Sequence, residues 1–317
     1  MRRAGGYGFG SFLALWLGLW LTLWGAPAAA SGKSMPMDDT PRIGVISAFE
    51  PEFAALIGHL KDPKDYSLNG MKFVTGTLEG RPVVLTMSGM SMVNATMNTQ
   101  LLIDRFHIER IVFSGIAGGI DPALNIGDVA VPERWAQSLE TIAGRKTDKG
   151  FVRPGWLTWA PDGMEAYGMF IPNSVVVGNA KETARPHLWF AADAEMLRVA
   201  RGLKGVELAH CTADGRCLAH TPQLHVGGAG VSSPVFVDNA DYRDYLHRAF
   251  GARVADMESA ALGQVAYAND VPFIVFRSLS DLAGGDEHAN EMAAFMALAS
   301  ENSAAVVRAF IRALPVT

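Results

Sequence analysis

Short apolar segments alternate with helical patterns from residue 42 to residue 313. RIGVISA (42–48) and PFIVFRSL (272–279) have the length and composition of buried strands, whereas VNATMNTQLLIDRF (93–106) has the period of an amphipathic helix. Strands that alternate with helices predict an α/β domain with a mostly parallel or mixed sheet. No segment recurs with a period of roughly 20–50 residues, which excludes a repeat protein.

Ligands of open α/β sheets bind beyond the carboxyl ends of the strands. Five segments follow predicted strands in this way, at residues 49–52, 88–93, 114–119, 257–259 and 280–285. Three of them carry acids, namely Glu258, Asp281, and Glu52 with its neighbour Glu50, from which the local sequence does not distinguish it. These acids are therefore the candidates for catalysis.

Local sequence rules leave the role of these three acids open. Glu52 follows Pro51 at the start of a predicted helix, where an acid also interacts favourably with the helix dipole. Glu258 opens another helix, and Asp281 ends a strand before a glycine-rich loop. Helix capping and turn formation account for such acids as well as function does.

Two stretches depart from the regular pattern. Residues 137–222 are rich in Trp, Pro, Gly and His and predict an irregular insertion with one helix near residues 192–201. SGIAGG (114–119) predicts a glycine-rich turn after a strand. It lacks the Gly-Lys-Ser/Thr ending of a phosphate-binding loop and the spacing of a dinucleotide fingerprint, so no nucleotide cofactor is expected.

The charge of the chain is mildly acidic, with 27 Lys and Arg against 32 Asp and Glu. No basic stripe interleaved with aromatic residues is present, so we expect no nucleic-acid partner. The histidines outside the cysteine loop have no metal-ligand spacing, and we expect no metal site.

The first thirty residues have the layout of a signal peptide. Arg2 and Arg3 precede an apolar core at residues 9–24, and Ala30 ends a run of small residues that is suited to cleavage. An uncleaved membrane anchor is the alternative, but the core is shorter than the roughly 20 residues of a typical span. We therefore expect a periplasmic or secreted protein without membrane contact, a linker at residues 31–40 and one domain at residues 41–317.

The two cysteines, Cys211 and Cys217, flank a turn in HCTADGRCLAH (210–220). In an exported protein a local disulfide is the expected state of such a pair. A metal site with His210 or His220 is the alternative, but its four ligands would crowd one small loop.

Taken together, five short motifs resemble the nucleoside phosphorylase and nucleosidase superfamily. They are AFEPE (48–52), SGMS (88–91), SGIAGG (114–119), DMESAA (256–261) and LSD (279–281). Their order and spacing are most similar to methylthioadenosine/S-adenosylhomocysteine nucleosidases. VFVDNADYRDYL (235–246) and the loop cysteines are also similar to the exported bark and vegetative storage proteins of plants.

The resemblance implies a fold, an assembly and a set of site residues. The fold is a single-domain three-layer αβα arrangement with a mixed, partly barrel-like central sheet, and the family implies a homo-oligomer. Asp281 corresponds to the acid that protonates the purine, and Glu52 to the carboxylate that activates water. Glu258 corresponds to the residue that binds the ribose hydroxyls, and Phe236 to the aromatic residue that stacks on the purine. The full substrate-binding set that the resemblance implies is Glu258, Met257, Phe236, Ser88, Gly89, Ala117, Gly118 and Ser280.

The expected reaction is hydrolysis of a purine nucleoside. Cleavage of the glycosidic bond develops positive charge on the sugar, which an anionic side chain stabilises, and the leaving base needs a proton from an acid. Phosphorylases of this superfamily place an arginine and a serine where this chain has Phe113 and Ile116, which favours water over phosphate. A phosphorylase and a non-catalytic storage protein are the alternatives.

Overall fold

The computed structural model describes residues 36–285 and 289–315. The predicted signal peptide and most of the predicted linker lie outside the described residues, so export and cleavage stay predictions. Residues 36–317 group into one compact unit. Its first strand begins at Asp38, slightly before the domain boundary expected at residue 41.

Regular elements alternate along the described part of the chain. The six helices in these residues are α1 (Glu50–Ile57), α2 (Met92–Arg105), α3 (Ala194–Arg201), α4 (Ala240–Phe250), α5 (Ser259–Ala268) and α6 (Met292–Ala313). The strands are β1 (Asp38–Ser47), β2 (Lys61–Leu68), β3 (Met71–Leu78), β4 (Arg81–Met87), β5 (Phe106–Gly119), β6 (Val129–Val131), β7 (Arg134–Gln137), β8 (Thr141–Ala143), β9 (Arg145–Thr147), β10 (Gly150–Val152), β11 (Phe170–Pro172), β12 (Val175–Val177), β13 (Arg185–His187), β14 (Phe190–Ala191), β15 (Leu224–Val226), β16 (Ala229–Ser232), β17 (Ala252–Asp256) and β18 (Phe273–Asp281).

Strand β5 is the central strand of a 12-stranded mixed sheet. The sheet runs β14-β7-β16-β17-β5-β1-β4-β3-β2, and β18 branches from β5 and joins β6. Strand β5 pairs in parallel with β1 and β18, and its last residues pair antiparallel with β17. Three partners on one strand bring the ends of β1, β17 and β18 to the same region.

Helices cover both faces of this sheet because the side chains of its strands alternate between two cores. In β18, Ile274 and Phe276 pack into a core that includes α1 and α6, whereas Phe273 and Val275 pack into a core on the side of α5. The predicted α/β class with a mixed central sheet is confirmed.

Helix α6 is largely apolar along its length. Among the described residues it alone is long and apolar enough, by length and composition, to cross a bilayer. However, 61% of its most apolar window is buried inside the domain. We therefore describe α6 as a core helix.

The structure differs from the sequence expectation in three places. β2 forms at residues where no strand was predicted, and residues 137–222 contain several two-stranded ribbons instead of irregular chain alone. The predicted turn at SGIAGG is wrong, because β5 continues as a strand to Gly119. Pairing with β18 and β17 supplies the hydrogen bonds that keep this glycine-rich segment extended.

Candidate active site

One cavity of about 300 Å³ opens where β1, β5, β17 and β18 end. This volume lies at the lower end of the range for small-molecule pockets. Apolar side chains make up most of its wall, and the charged ones are all acids. The lining residues are Ala48, Phe49, Glu52, Met90, Ile116, Ala117, Gly118, Val235, Phe236, Val237, Ala255, Asp256, Met257, Glu258, Ser280, Asp281 and Met292.

Glu52 enters the cavity from the first turn of α1. It is 1% exposed, and its carboxylate accepts backbone N–H bonds from Ala48 at 2.5 Å and from Ile116 at 2.8 Å. Burial raises the pKa of Glu52, although Arg277 and these N–H groups oppose the shift. A carboxylate with a raised pKa is a better proton acceptor, as a general base requires.

Glu258 lies at the junction between β17 and α5. Its Oε1 accepts the backbone N–H of Ser91 at 2.7 Å, across from the start of α2. Burial raises the pKa of Glu258 to about 7; Arg277 lowers it, whereas Asp256 and Glu52 raise it further. The site therefore contains an acid that titrates near neutral pH.

Asp281 is the last residue of β18 and is 2% exposed. The Ser280 hydroxyl donates to its Oδ2 at 2.9 Å, and the Ala283 N–H donates to its Oδ1 at 2.8 Å. In the β5–β18 register Asp281 stands opposite Gly118. The carboxyl group is thus held in a fixed orientation at the cavity wall.

Arg277 organises the acids beneath the cavity, and sequence reasoning missed it. The side chain is fully buried in β18, where its Nε lies 2.7 Å from Asp256 Oδ2 and its Nη2 lies 3.4 Å from Glu258 Oε2. Its Nη1 lies 3.7 Å from Glu52 Oε1. Burial lowers the pKa of Arg277, but these three carboxylates reverse the shift and keep the guanidinium charged. The signal in the sequence was one charge within the apolar run FIVFRSLS (273–280).

Two glycines of β5 leave room for these charged groups. A Cβ at Gly115 would lie 2.0 Å from Arg277 Nη1 and 2.6 Å from Glu52 Oε1. A Cβ at Gly118 would lie 3.1 Å from Asp281 Oδ1. Glycine is needed in SGIAGG for close approach of side chains to the backbone, and not for a turn.

The structure brings most of the predicted site residues together. Met257, Phe236, Ala117, Gly118 and Ser280 line the same cavity as the three acids. Phe236 is half-exposed at the wall.

Two predicted residues, Ser88 and Gly89, do not line the cavity. Ser88 is fully buried, its N–H donates to the Ser47 carbonyl and its hydroxyl donates to the Gly89 carbonyl. The neighbouring Met90 lines the cavity instead. Sequence spacing did not show which residue of this segment lines the cavity.

Neither Cys211 nor Cys217 lines this cavity. A disulfide joins Cys211 to Cys217. His210 and these cysteines form the one group of three potential metal ligands among the described residues. Because both sulfurs are engaged in the disulfide, they are not available as thiolate ligands.

Comparison of the sequence with known proteins identifies the family of the chain. The sequence model of the phosphorylase superfamily matches residues 42–312. The chain belongs to the phosphorylase superfamily. The match spans the described domain, including the insertion and all three acids.

Two of the curated relatives illustrate the range of named proteins to which the chain is similar. A 5'-methylthioadenosine/S-adenosylhomocysteine nucleosidase of Mycobacterium bovis is 30% identical over 276 residues, covering 86% of this chain and 97% of the relative. Bark storage protein B of Populus deltoides is 28% identical over 261 residues, covering 80% of this chain and 82% of the relative.

A solved structure from the phosphorylase superfamily is similar as well. It is a 5'-methylthioadenosine/S-adenosylhomocysteine nucleosidase from Colwellia psychrerythraea in complex with adenine. The TM-score is 0.65 at 25% identity, and the alignment covers 86% of this chain and 95% of that one.

Proposed function

We propose that the protein is a nucleosidase that hydrolyses the N-glycosidic bond of a 6-aminopurine nucleoside and releases adenine. The observation that carries the proposal is the convergence of Glu52, Glu258 and Asp281 on one largely apolar cavity. The nucleosidases among its relatives support the same chemistry.

Each acid has a distinct role in the proposed reaction. The purine stacks on Phe236, and Asp281 donates a proton to its N7 as the bond to the sugar breaks. Glu258 accepts hydrogen bonds from the ribose hydroxyls. Glu52 orients a water molecule and accepts its proton as the oxygen attacks C1′. The anionic groups also stabilise the positive charge that develops on the sugar.

Water is the proposed nucleophile because the cavity is unsuited to phosphate. Its wall carries acids, and no basic side chain lines it within the described residues. Arg277 is fully buried and already pairs with Asp256, Glu258 and Glu52. A phosphate dianion would therefore meet like charges without a free cation to offset them.

The same wall favours an uncharged 5′ substituent on the nucleoside. Met90, Val235 and Met292 contribute apolar surface to the cavity. A small thioether such as the methylthio group fits this surface, whereas a 5′-phosphate would lose hydration without a compensating partner. We propose methylthioadenosine as the first substrate to test.

Release of free adenine from methylthioadenosine, adenosine and S-adenosylhomocysteine, followed by chromatography, tests the proposal. We expect turnover without added phosphate, and a fall in kcat of at least about 100-fold for Asp281→Asn because the proton donor is lost. Asp241→Asn, an exposed acid in the first turn of α4, is the matched control and should leave turnover unchanged. Folded protein that releases no adenine would contradict the proposal and favour a storage protein, and ribose 1-phosphate formation would favour a phosphorylase.

A further inference from the structure

The cavity wall that carries Phe236 is a segment without regular secondary structure. Residues 235–239, named the strap, are the last part of the connection from β16 to α4. Val235 and Phe236 are both substantially exposed, and Val235, Phe236 and Val237 line the cavity. Besides a hydrogen bond from the Ser233 hydroxyl to the Val235 carbonyl and the packing of Val237 on a buried cluster, the strap is held by contacts at its far end.

That far end is attached to the residues that follow Asp281. The backbone N–H of Asn239 donates to the Ala283 carbonyl at 3.1 Å. Gly284 has φ +87°, and a Cβ there would lie 2.3 Å from the Asn239 nitrogen. Only glycine can adopt this positive φ and leave room for the second backbone, so the contact between the two segments depends on Gly284.

Asn290 makes a second attachment through its side chain. Its Nδ2 donates to Asp238 Oδ1 at 3.1 Å and to Asp281 Oδ1 at 3.4 Å. An amide NH₂ group has two hydrogens, so one side chain can serve both carboxylates. It does so without adding charge to a site that already contains several acids.

We infer that Asn290 is a positioning residue that links the strap to the proton donor. Resting on the proposed function, this assigns to Asn290 and Asp238 the task of keeping Phe236 aligned with Asp281, so that the stacked purine presents N7 to the acid. The hydrogen bond to the Asp238 carboxylate is charge-assisted and therefore strong, and an amide can also donate to Asp281 while that residue holds its proton, because a protonated carboxyl group still accepts hydrogen bonds.

The first experiment compares Asn290→Ala with Glu291→Ala. Glu291 is the exposed neighbouring residue and makes no side-chain cap bond, so it is the matched control. We expect Asn290→Ala to speed amide hydrogen exchange across the strap and to raise KM for the nucleoside by about tenfold, the effect of losing hydrogen bonds to charged groups. The Glu291→Ala variant should match the wild type in both readouts.

A double variant distinguishes the two contacts of Asn290. Asn290→Asp combined with Asp238→Asn keeps one amide–carboxylate hydrogen bond to the strap but sets a carboxylate against Asp281. We expect slow hydrogen exchange in the strap and a KM near the wild-type value, together with a kcat below the wild-type value, because the hydrogen bond from residue 290 to Asp281 is lost. A merely structural role would not restore KM while leaving kcat impaired.

Hydrogen exchange and the affinity for adenine, measured by calorimetry, keep the inference separable from the proposed function. If the wild type releases no adenine, the proposed function fails, yet Asn290→Ala must still loosen the strap and weaken adenine binding. If Asn290→Ala matches the wild type in exchange, adenine affinity and KM, the inference is overturned whether or not the protein is a nucleosidase.

Discussion

Arg277 shows how a single buried charge shapes the site. One guanidinium faces the carboxylates of Asp256, Glu258 and Glu52. Asp256 also accepts hydrogen bonds from the hydroxyls of Ser232 and Ser259, so its charge is well satisfied. Burial is the main cause of the raised pKa of Glu258; Arg277 offsets it only in part, and the carboxylates of Asp256 and Glu52 add to it.

The pH dependence of activity should follow Glu258. Burial raises its pKa to about 7, and only the ionised form accepts hydrogen bonds from both ribose hydroxyls. We expect kcat/KM to fall about tenfold per pH unit below about pH 7, in inverse proportion to proton concentration, since kcat/KM reports groups of the free enzyme. Measured from pH 5 to 9, the fall of kcat/KM that is centred near pH 7 should be lost from the residual activity of Glu258→Gln, while any fall due to protonation of Glu52 remains. An unchanged fall near pH 7 in that variant would assign the titration to another group.

The same shift makes a prediction about stability. The pKa of Glu258 in the folded protein lies above its ordinary value of 4.5, so folding takes up a proton between these two pH values. The stability contributed by Glu258 is therefore complete below pH 4.5 and is lost as pH rises towards about 7. Urea unfolding at several pH values should show a weaker decline for Glu258→Gln than for the wild type over this interval.

The three acids were predictable because sheet geometry constrains where strands end. Glu52, Glu258 and Asp281 each follow an apolar run, and ligands of open α/β sheets bind where strands end. The parallel strands β1 and β18 end at one edge beside β5, and the antiparallel pairing of β17 with the end of β5 brings Glu258 to the same place. Arg277 was not predictable in this way, since the sequence does not show which side chains a buried charge faces. The same limitation applies to Ser88 and Gly89, whose neighbour Met90 reaches the cavity instead.

At the scale of elements, β5 is the strand on which the site is built. It lies between β1 and β18 and also contacts β17 at its end. Periodicity predicted the strand, but the glycine content predicted a turn within it. Glycine composition alone does not distinguish a turn from a strand against which bulky charged groups pack.

Gly115→Ala tests this role of β5. A methyl group there would displace Arg277 and Glu52, whereas Gly58, at the end of α1, has open space around it. We expect Gly115→Ala to lower kcat/KM by at least about tenfold and to destabilise the fold by about 1–3 kcal/mol through overpacking. Gly58→Ala should change neither activity nor stability appreciably. A Gly115→Ala variant with wild-type kcat/KM would contradict the assigned packing.

At the scale of the whole molecule, the insertion is the part that sequence reasoning described least well. Its ribbons are short and lack a clear hydrophobic period, so strand signals were weak. The disulfide loop within it contacts α6: Leu218 packs with Phe295 and Leu298, and the Arg216 guanidinium lies 5.9 Å from the Phe295 ring. The loop thus supports the end of α6 that follows Asn290.

Removing the disulfide should affect stability more than catalysis. The loop between Cys211 and Cys217 is short, so the chain-entropy model gives about 2 kcal/mol. We expect Cys211→Ser with Cys217→Ser to lose this amount in urea unfolding while kcat stays within about twofold of the wild type. Loss of most activity without loss of stability would show instead that the loop controls the site.

The placement of the three acids on α1, the β17–α5 junction and β18 has a consequence for biogenesis. No contiguous fragment of the domain contains all of them unless it extends from the first helix to the last long strand. Chemistry therefore begins only after the two ends of the chain have met on β5. A chain that is still being synthesised carries the acids but has not yet brought them together.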